Sequence, residues 1–349
     1  MWGLIRWESV NSNCFDVENG VKQGGVLSPI LFCMYIDQLL LKLKSSGYGC
    51  YIGNVFMGSF CYADDCSLLA LTLSSVKQML KVVKEFGKEY DVKFNPAKSQ
   101  LLVYNDTKLE DFEISFNQVN IHSVQGAQHL GHPIGIDSNM KHILHCRQDF
   151  VNRVNFLIAN FSECSVDVKY ILLKRFCMSL YGCVLWDFSC KSVNQFFTAW
   201  RTAIRRLLDL NRQSHGAYLP MLVDDIPVEG QVHKRFIKFM YSLHNSNNNV
   251  TRLCLKLALN GSRSNVCRSY NHIKKKYGLF GELDKILSVV RFMRTVNYTT
   301  TQEFDDDGWF NIAKCKSILE MRDWTALYFS RSDFNKMLEF FSVKHVNQI

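Results

Sequence analysis

Tyr62-Ala63-Asp64-Asp65 lies between two apolar runs, Val55 to Cys61 and Cys66 to Leu73. Short apolar runs separated by a tight polar break predict strand, turn, strand. That geometry holds two adjacent carboxylates at the tip of a hairpin, braced from behind by buried residues. Adjacent carboxylates repel, so a fold that keeps both ionised usually supplies a cation. Hard oxygen donors of this kind suit Mg²⁺, which binds through one or two carboxylates plus substrate phosphates. The plain alternative is an ordinary hairpin, since Asp is a favoured turn residue. These four residues do not decide between the two, so the flanking segments must.

Upstream runs Gly20-Val21-Lys22-Gln23-Gly24-Gly25-Val26-Leu27-Ser28-Pro29. Downstream come Phe94-Asn95-Pro96-Ala97-Lys98-Ser99 and then His129-Leu130-Gly131. In this order the segments resemble the reverse transcriptases of non-LTR retrotransposons. The resemblance implies that Gln23, Gly24 and Gly25 open a palm helix facing template and incoming deoxynucleotide. It implies that Asp64 and Asp65 are catalytic, with Mg²⁺ as their metal. It places Lys98 near the triphosphate, and His129, Leu130 and Gly131 in the primer grip. Ser179 to Trp186 and Trp200 to Leu207 are similar to the helical thumb of the same elements. The resemblance covers roughly residues 14 to 245. Each piece is weak alone; their order carries the match. The fold class it implies is α+β: a partial polymerase palm, an antiparallel sheet with packed helices, then an α-helical thumb and a helical C-terminal region. The expected division is a palm with its primer-grip hairpin over 1–140, a thumb over 141–260, and an unrecognised, mainly helical region over 261–349. RNA template, DNA primer and deoxynucleotides are the partners the resemblance implies.

One part of the family pattern is not visible. A first catalytic Asp is expected on a strand upstream of the Gly-rich segment. The one candidate, Asp16, lies too close to the turn and in the wrong surroundings. Asp37 sits in a long apolar stretch and suits a helix-borne ion pair better. A two-metal site clamps both attacking and leaving oxygens, and such chemistry is mostly positioning plus charge neutralisation. The expectation is therefore a truncated reverse transcriptase that does not polymerise as this chain, and that is poorly behaved because a sheet edge and an apolar face are uncovered. Two alternatives stay open: a nucleic-acid-binding relic without catalysis, and the product of an incomplete gene model.

Composition sets bounds. The 349 residues are 47% hydrophobic, ample for real cores. A net charge of +9, from 41 basic and 32 acidic side chains, is compatible with a polyanionic partner without requiring one. Thirteen cysteines without a C-x-x-C pair argue for a reducing compartment rather than a disulfide framework. Met1 to Glu8 does not read as a signal peptide. No run reaches the ~18 apolar residues of a membrane helix. The expected location is intracellular, cytoplasm or nucleus.

Ser28 reads as an N-cap and Pro29 as the first helical residue. The helix over Pro29 to Lys44 is apolar on nearly all faces and is expected in an interior; its N-terminus suits an anion. Ser74 to Tyr90 carries Val76, Met79, Leu80, Val83 and Phe86 on one face, with Lys77, Lys81, Lys84 and Lys88 outside. Trp2 to Val17 reads as two short strands and Leu101 to Tyr104 as another. Beyond Lys141 the pattern is helical: Ile143 to Phe161, Val166 to Leu180, Val193 to Leu210 and Gly230 to Leu243. Arg201, Arg205 and Arg212 fall on one predicted helical stripe, opposite Phe197, Trp200, Ile204 and Leu208. Such a stripe either tracks a phosphate backbone or is a solvated basic face. His142, His145 and Cys146 are too close together, with no second pair, for a tetrahedral zinc site. No zinc knuckle is visible.

Overall fold

The computed structural model describes residues 2–16, 24–104, 111–261 (apart from 215, 217, 218, 224 and 226) and 264–277. The core candidates Trp309, Trp324, Phe329, Phe334, Phe340 and Phe341 lie outside the described residues. The chain divides into two compact units between Gln125 and Gly126.

The first unit opens with four two-residue strands, β1 (Trp2–Gly3), β2 (Arg6–Trp7), β3 (Val10–Asn11) and β4 (Phe15–Asp16), where two short strands are expected from the sequence. β1 pairs with β4 and β2 with β3, both antiparallel. Helix α1 (Ser28–Ser45) follows. Then come β5 (Tyr51–Ile52), β6 (Val55–Phe56), β7 (Ser59–Tyr62), β8 (Asp65–Leu68), helix α2 (Leu73–Glu89), β9 (Leu101–Leu102), β10 (Glu113–Phe116) and β11 (Val119–Val124). The expectation of one antiparallel sheet is corrected here. Among the described residues the strands form separate small sheets, of which β10-β11-β9 has three strands and the others two. β11 and β9 run parallel. Strands this short leave few ladder bonds with which to join into a larger sheet.

α2 forms as its pattern predicts. Thr72 Oγ1 caps it by accepting from Ser75 N–H at 3.2 Å. Met79, Val83 and Phe86 are buried, while Lys77, Lys81, Lys84 and Lys88 are exposed. α1 departs from expectation in two ways. Leu27, not Ser28, is the N-cap residue, with no side-chain cap. And only the stripe Ile36, Leu39, Leu43 is buried, packed with α2 and with Leu101, Ile114, Phe116 and Ile121. Ile30, Leu31 and Met34 are 57%, 58% and 65% exposed, so the helix is not an interior one among the described residues. An all-apolar helix has no polar face to mark its outside, so composition alone does not select the contacting stripe. α1 is held to the end of α2 by Lys42 with Glu89, and by the Tyr35 hydroxyl donating to the Tyr90 carbonyl.

The second unit begins with a hairpin, β12 (Gly126–His129) and β13 (His132–Gly135). The rest is helical: α3 (Ser138–Asn160), α4 (Val166–Leu172), α5 (Lys191–Leu207), α6 (Leu219–Leu222), α7 (Val228–His244), α8 (Asn249–Asn260) and α9 (Asn265–Lys276). Its core centres on Phe150, Trp186, Phe196, Trp200 and Phe236, none more than 1% exposed. The expected helix Val166 to Leu180 is broken by a π-turn at Leu173–Cys177. The Arg235 guanidinium takes the carbonyls of Met178 and Ser179 at 3.0 and 2.8 Å, satisfying backbone acceptors past the break. The Trp186 indole N–H donates to His142 Nδ1 at 2.8 Å. Burial pushes His142 down to about 4, so its ring is neutral near pH 7. Gly182, at φ +74°, sits under His132 and His142; a Cβ there would lie 2.7 Å from His132 Nδ1 and 2.9 Å from His142 Cε1.

The arginine stripe is also corrected. α5 stops at Leu207, because Asp209 turns left-handed at φ 51°. Leu210 N–H then bonds the Arg205 carbonyl at 2.7 Å and Asp209 N–H the Arg206 carbonyl at 3.4 Å, the Schellman pattern. Arg212 lies past that stop and shares no helical face with Arg201 and Arg205. The opposite face is as expected: Phe197, Trp200, Ile204 and Leu208 are all buried.

Candidate active site

β7 and β8 pair antiparallel in the register Ser59↔Leu68, Phe60↔Ser67, Cys61↔Cys66 and Tyr62↔Asp65. The turn is therefore the two residues Ala63 and Asp64. Two-residue hairpin loops match the strand twist when the first turn residue has positive φ. Ala63 adopts φ 51° to supply it, in a region that favours glycine. The turn thus places Asp64 at the tip and Asp65 at the first position of β8. Both are exposed. Neither carboxylate has a hydrogen-bond or ion-pair partner among the described residues, and both residues are open to solvent.

Below the tip, Cys61 and Cys66 face each other with Cα atoms 4.1 Å apart and are joined as a disulfide. The sequence reading did not foresee this pair. The signal was there: a separation of five residues is what a two-residue turn sets opposite in register. The hairpin base is tied in by Cys50 N–H to the Leu69 carbonyl at 2.9 Å and Leu69 N–H to the Gly58 carbonyl at 2.7 Å.

Of the other residues singled out from the sequence, Gln23 lies outside the described residues. Gly24 has φ +78° and open space around it, and Gly25 accepts a bond from Ser28 N–H at 3.2 Å, so both sit at the start of α1. Lys98 ends a 3-10 turn, Pro96–Lys98, in which Asn95 Oδ1 accepts from Ala97 N–H at 3.0 Å. Its side chain is exposed, and no hydrogen bond or ion pair joins it to Asp64 or Asp65. Asp16 and Asp37 are exposed as well. Among the described residues, no third carboxylate, imidazole or thiol gathers with Asp64 and Asp65 into a metal-holding cluster.

His129, Leu130 and Gly131 lie in the second unit. His129 pairs with His132, and Leu130 and Gly131, with φ 49° and 72°, form the turn between them. Positive φ at both turn positions is the I′ pattern, which Leu adopts at a cost. The Tyr181 hydroxyl donates to the Leu130 carbonyl at 2.8 Å and braces that turn. Beside it a cavity of about 480 Å³ is lined by Gly131, Lys141, His145, Arg153, Ser179 and Tyr181 among others. In α5, Arg201 donates to Thr198 Oγ1 at 3.0 Å, and the half-buried Arg205 donates to the Ser214 carbonyl at 2.9 Å. None of the described helices is long and apolar enough to cross a membrane.

The family model for reverse transcriptases (RNA-dependent DNA polymerases) matches residues 4–134, which include the Asp64–Asp65 hairpin. Among curated proteins, the chain is 23% identical over 214 residues to a probable RNA-directed DNA polymerase from transposon X-element of Drosophila melanogaster, covering 58% of this chain and 23% of that protein. It is 36% identical over 88 residues to the retrovirus-related Pol polyprotein from the type-2 retrotransposable element R2DM of the same organism, covering 25% of this chain and 8% of that polyprotein. The chain thus spans less than a quarter of the length of the curated relatives it matches. The hairpin, the segments around it and these matches agree: residues 4–134 match a reverse transcriptase domain and are similar to those of non-LTR retrotransposons.

Proposed function

We propose that Asp64 and Asp65 are catalytic carboxylates of RNA-directed DNA synthesis and hold Mg²⁺. The observation that carries this is the geometry of the tip: two adjacent, exposed carboxylates without protein partners, fixed by a two-residue turn within the matched family domain. The donor set fits, because carboxylate oxygen is what Mg²⁺ takes from proteins while it keeps waters and substrate phosphates. When bound, the metal neutralises charge on the reacting phosphate and polarises the attacking and leaving oxygens. The chain's own residues position the reactants. Gln23, Gly24 and Gly25 line the nucleotide and template side, where the positive end of the α1 dipole suits a phosphate. Lys98 approaches the triphosphate. His129, Leu130 and Gly131 support the primer end, with Tyr181 holding their turn. In this scheme residues 1–140 serve as palm and primer grip and 141–260 as thumb.

Two carboxylates supply only part of a two-metal clamp, and no third gathers with them among the described residues. The chain by itself is therefore expected not to extend a DNA primer on an RNA template, with Mg²⁺ or Mn²⁺. Extension that disappears in Asp64→Ala would overturn this and imply a third ligand from elsewhere in the chain.

A second reading, nucleic-acid binding by the helical unit alone, rests on Arg201, Arg205 and Arg212 with the net charge of +9. Each phosphate neutralised contributes about −0.9 to the slope of log K against log salt on duplex DNA. Arg205 is already committed to the Ser214 carbonyl. Replacing Arg201 and Arg212 with Gln should therefore flatten the slope by up to roughly two units, with Arg205→Gln adding less. An unchanged slope in the double variant would reduce both residues to a solvated surface.

A further inference from the structure

Far from the hairpin in sequence, α7 and α9 bring together Glu229, His233 and His272. One ligand atom from each lies within 4.8 Å of the others, in the one group of three metal-ligating side chains among the described residues. Glu229 and His233 are four apart in the first turns of α7, so they share a face. His272 comes from α9, and its ring centroid is 5.8 Å from that of His233.

His233 is the informative member. Its side chain is fully buried. Its Nδ1 is engaged by the Tyr277 hydroxyl at 2.9 Å. Its Nε2, buried too, has no hydrogen-bond partner. A buried ring nitrogen without a partner costs free energy that most folded proteins avoid. A histidine with one nitrogen held by an outer group and the other left without a partner, beside a second histidine and a carboxylate, has the arrangement of a metal ligand. Two imidazoles and one carboxylate are a ligand set that zinc takes, with a fourth position left for water.

We propose that Glu229, His233 and His272 form a zinc site that ties α9 to α7, with Tyr277 orienting His233. The site is independent of the polymerase reading and uses none of its residues. One group opposes it: Lys276 Nζ lies 2.8 Å from Glu229 Oε2 and competes with a cation for that carboxylate. The lysine therefore lowers zinc affinity, whereas in a mere ion-pair network it would be a stabilising partner.

The test uses the full chain, stripped with a chelator and dialysed, then titrated with Zn²⁺ and separately with Co²⁺. The expected result is one equivalent of Zn²⁺, and a Co²⁺ spectrum with tetrahedral d–d bands but no thiolate charge-transfer band. His272→Gln and Glu229→Gln, both at partly exposed positions, should abolish that stoichiometric binding. Tyr277→Phe should weaken it by roughly 10–100-fold. Lys276→Met should tighten it. Near-UV circular dichroism of each metal-free variant against the metal-free parent checks the fold, and Glu229→Gln decides where His272→Gln alters it. Failure of the parent to bind zinc would overturn the proposal. So would binding unchanged in Glu229→Gln, or a cobalt spectrum dominated by the chain's cysteines.

Discussion

The two units treat apolar residues in opposite ways. In the first, α1 buries a single stripe, and Ile30, Leu31 and Met34 stay more than half exposed. In the second, α5 buries its whole apolar face, with Phe196 and Ile204 fully enclosed and Trp200 only 1% exposed. The unit with the recognisable chemistry is thus the less closed of the two, and the well-packed unit has less recognisable chemistry. Residues that must meet an incoming nucleotide cannot also be sealed by packing, whereas a helix with one apolar face can be. The hairpin adds local strain at Ala63, and the helical unit adds enclosed polar networks such as Trp186–His142.

That contrast can be sharpened by substitution. Trp200→Ala removes a large enclosed side chain and should destabilise the helical unit by about 3–5 kcal/mol, seen as a lower denaturant midpoint. A shift no larger than that of a surface substitution would mean that the second unit is as loosely closed as the first. A smaller effect of opposite sign is expected at the hairpin. Ala63→Gly relieves a positive φ and should stabilise the first unit by roughly 1 kcal/mol. A midpoint that does not rise would show that the Ala63 turn is not strained.

Much of this was legible in the sequence, for particular reasons. The hairpin was, because two apolar runs around a polar break admit few other structures, and because Asp64 and Asp65 stand in a family order. The faces of α2 and α5 were, because their periodicity separates apolar from charged residues. The contacting stripe of α1 was not, because nearly every position is apolar. The end of α5 was missed because Asp209, not a glycine, supplies the left-handed residue, which displaces Arg212 from the stripe. The Glu229–His233–His272 cluster was half legible, as a Glu and a His four apart on one helix. His272 enters only through the packing of α9, which no spacing rule reveals. The disulfide partner of Cys61 was implied by the register of the turn but was obscured among thirteen cysteines.

The central claim is that the carboxylates at the tip of the hairpin are the chain's divalent-metal site for polymerase chemistry. The direct measurement is Mn²⁺ binding to the full chain by electron paramagnetic resonance, in the parent, in Asp64→Asn with Asp65→Asn, and in His272→Gln. A Mn²⁺ site that is lost in the double aspartate variant and kept in His272→Gln is the predicted result. Binding unchanged by loss of both aspartates would contradict the account.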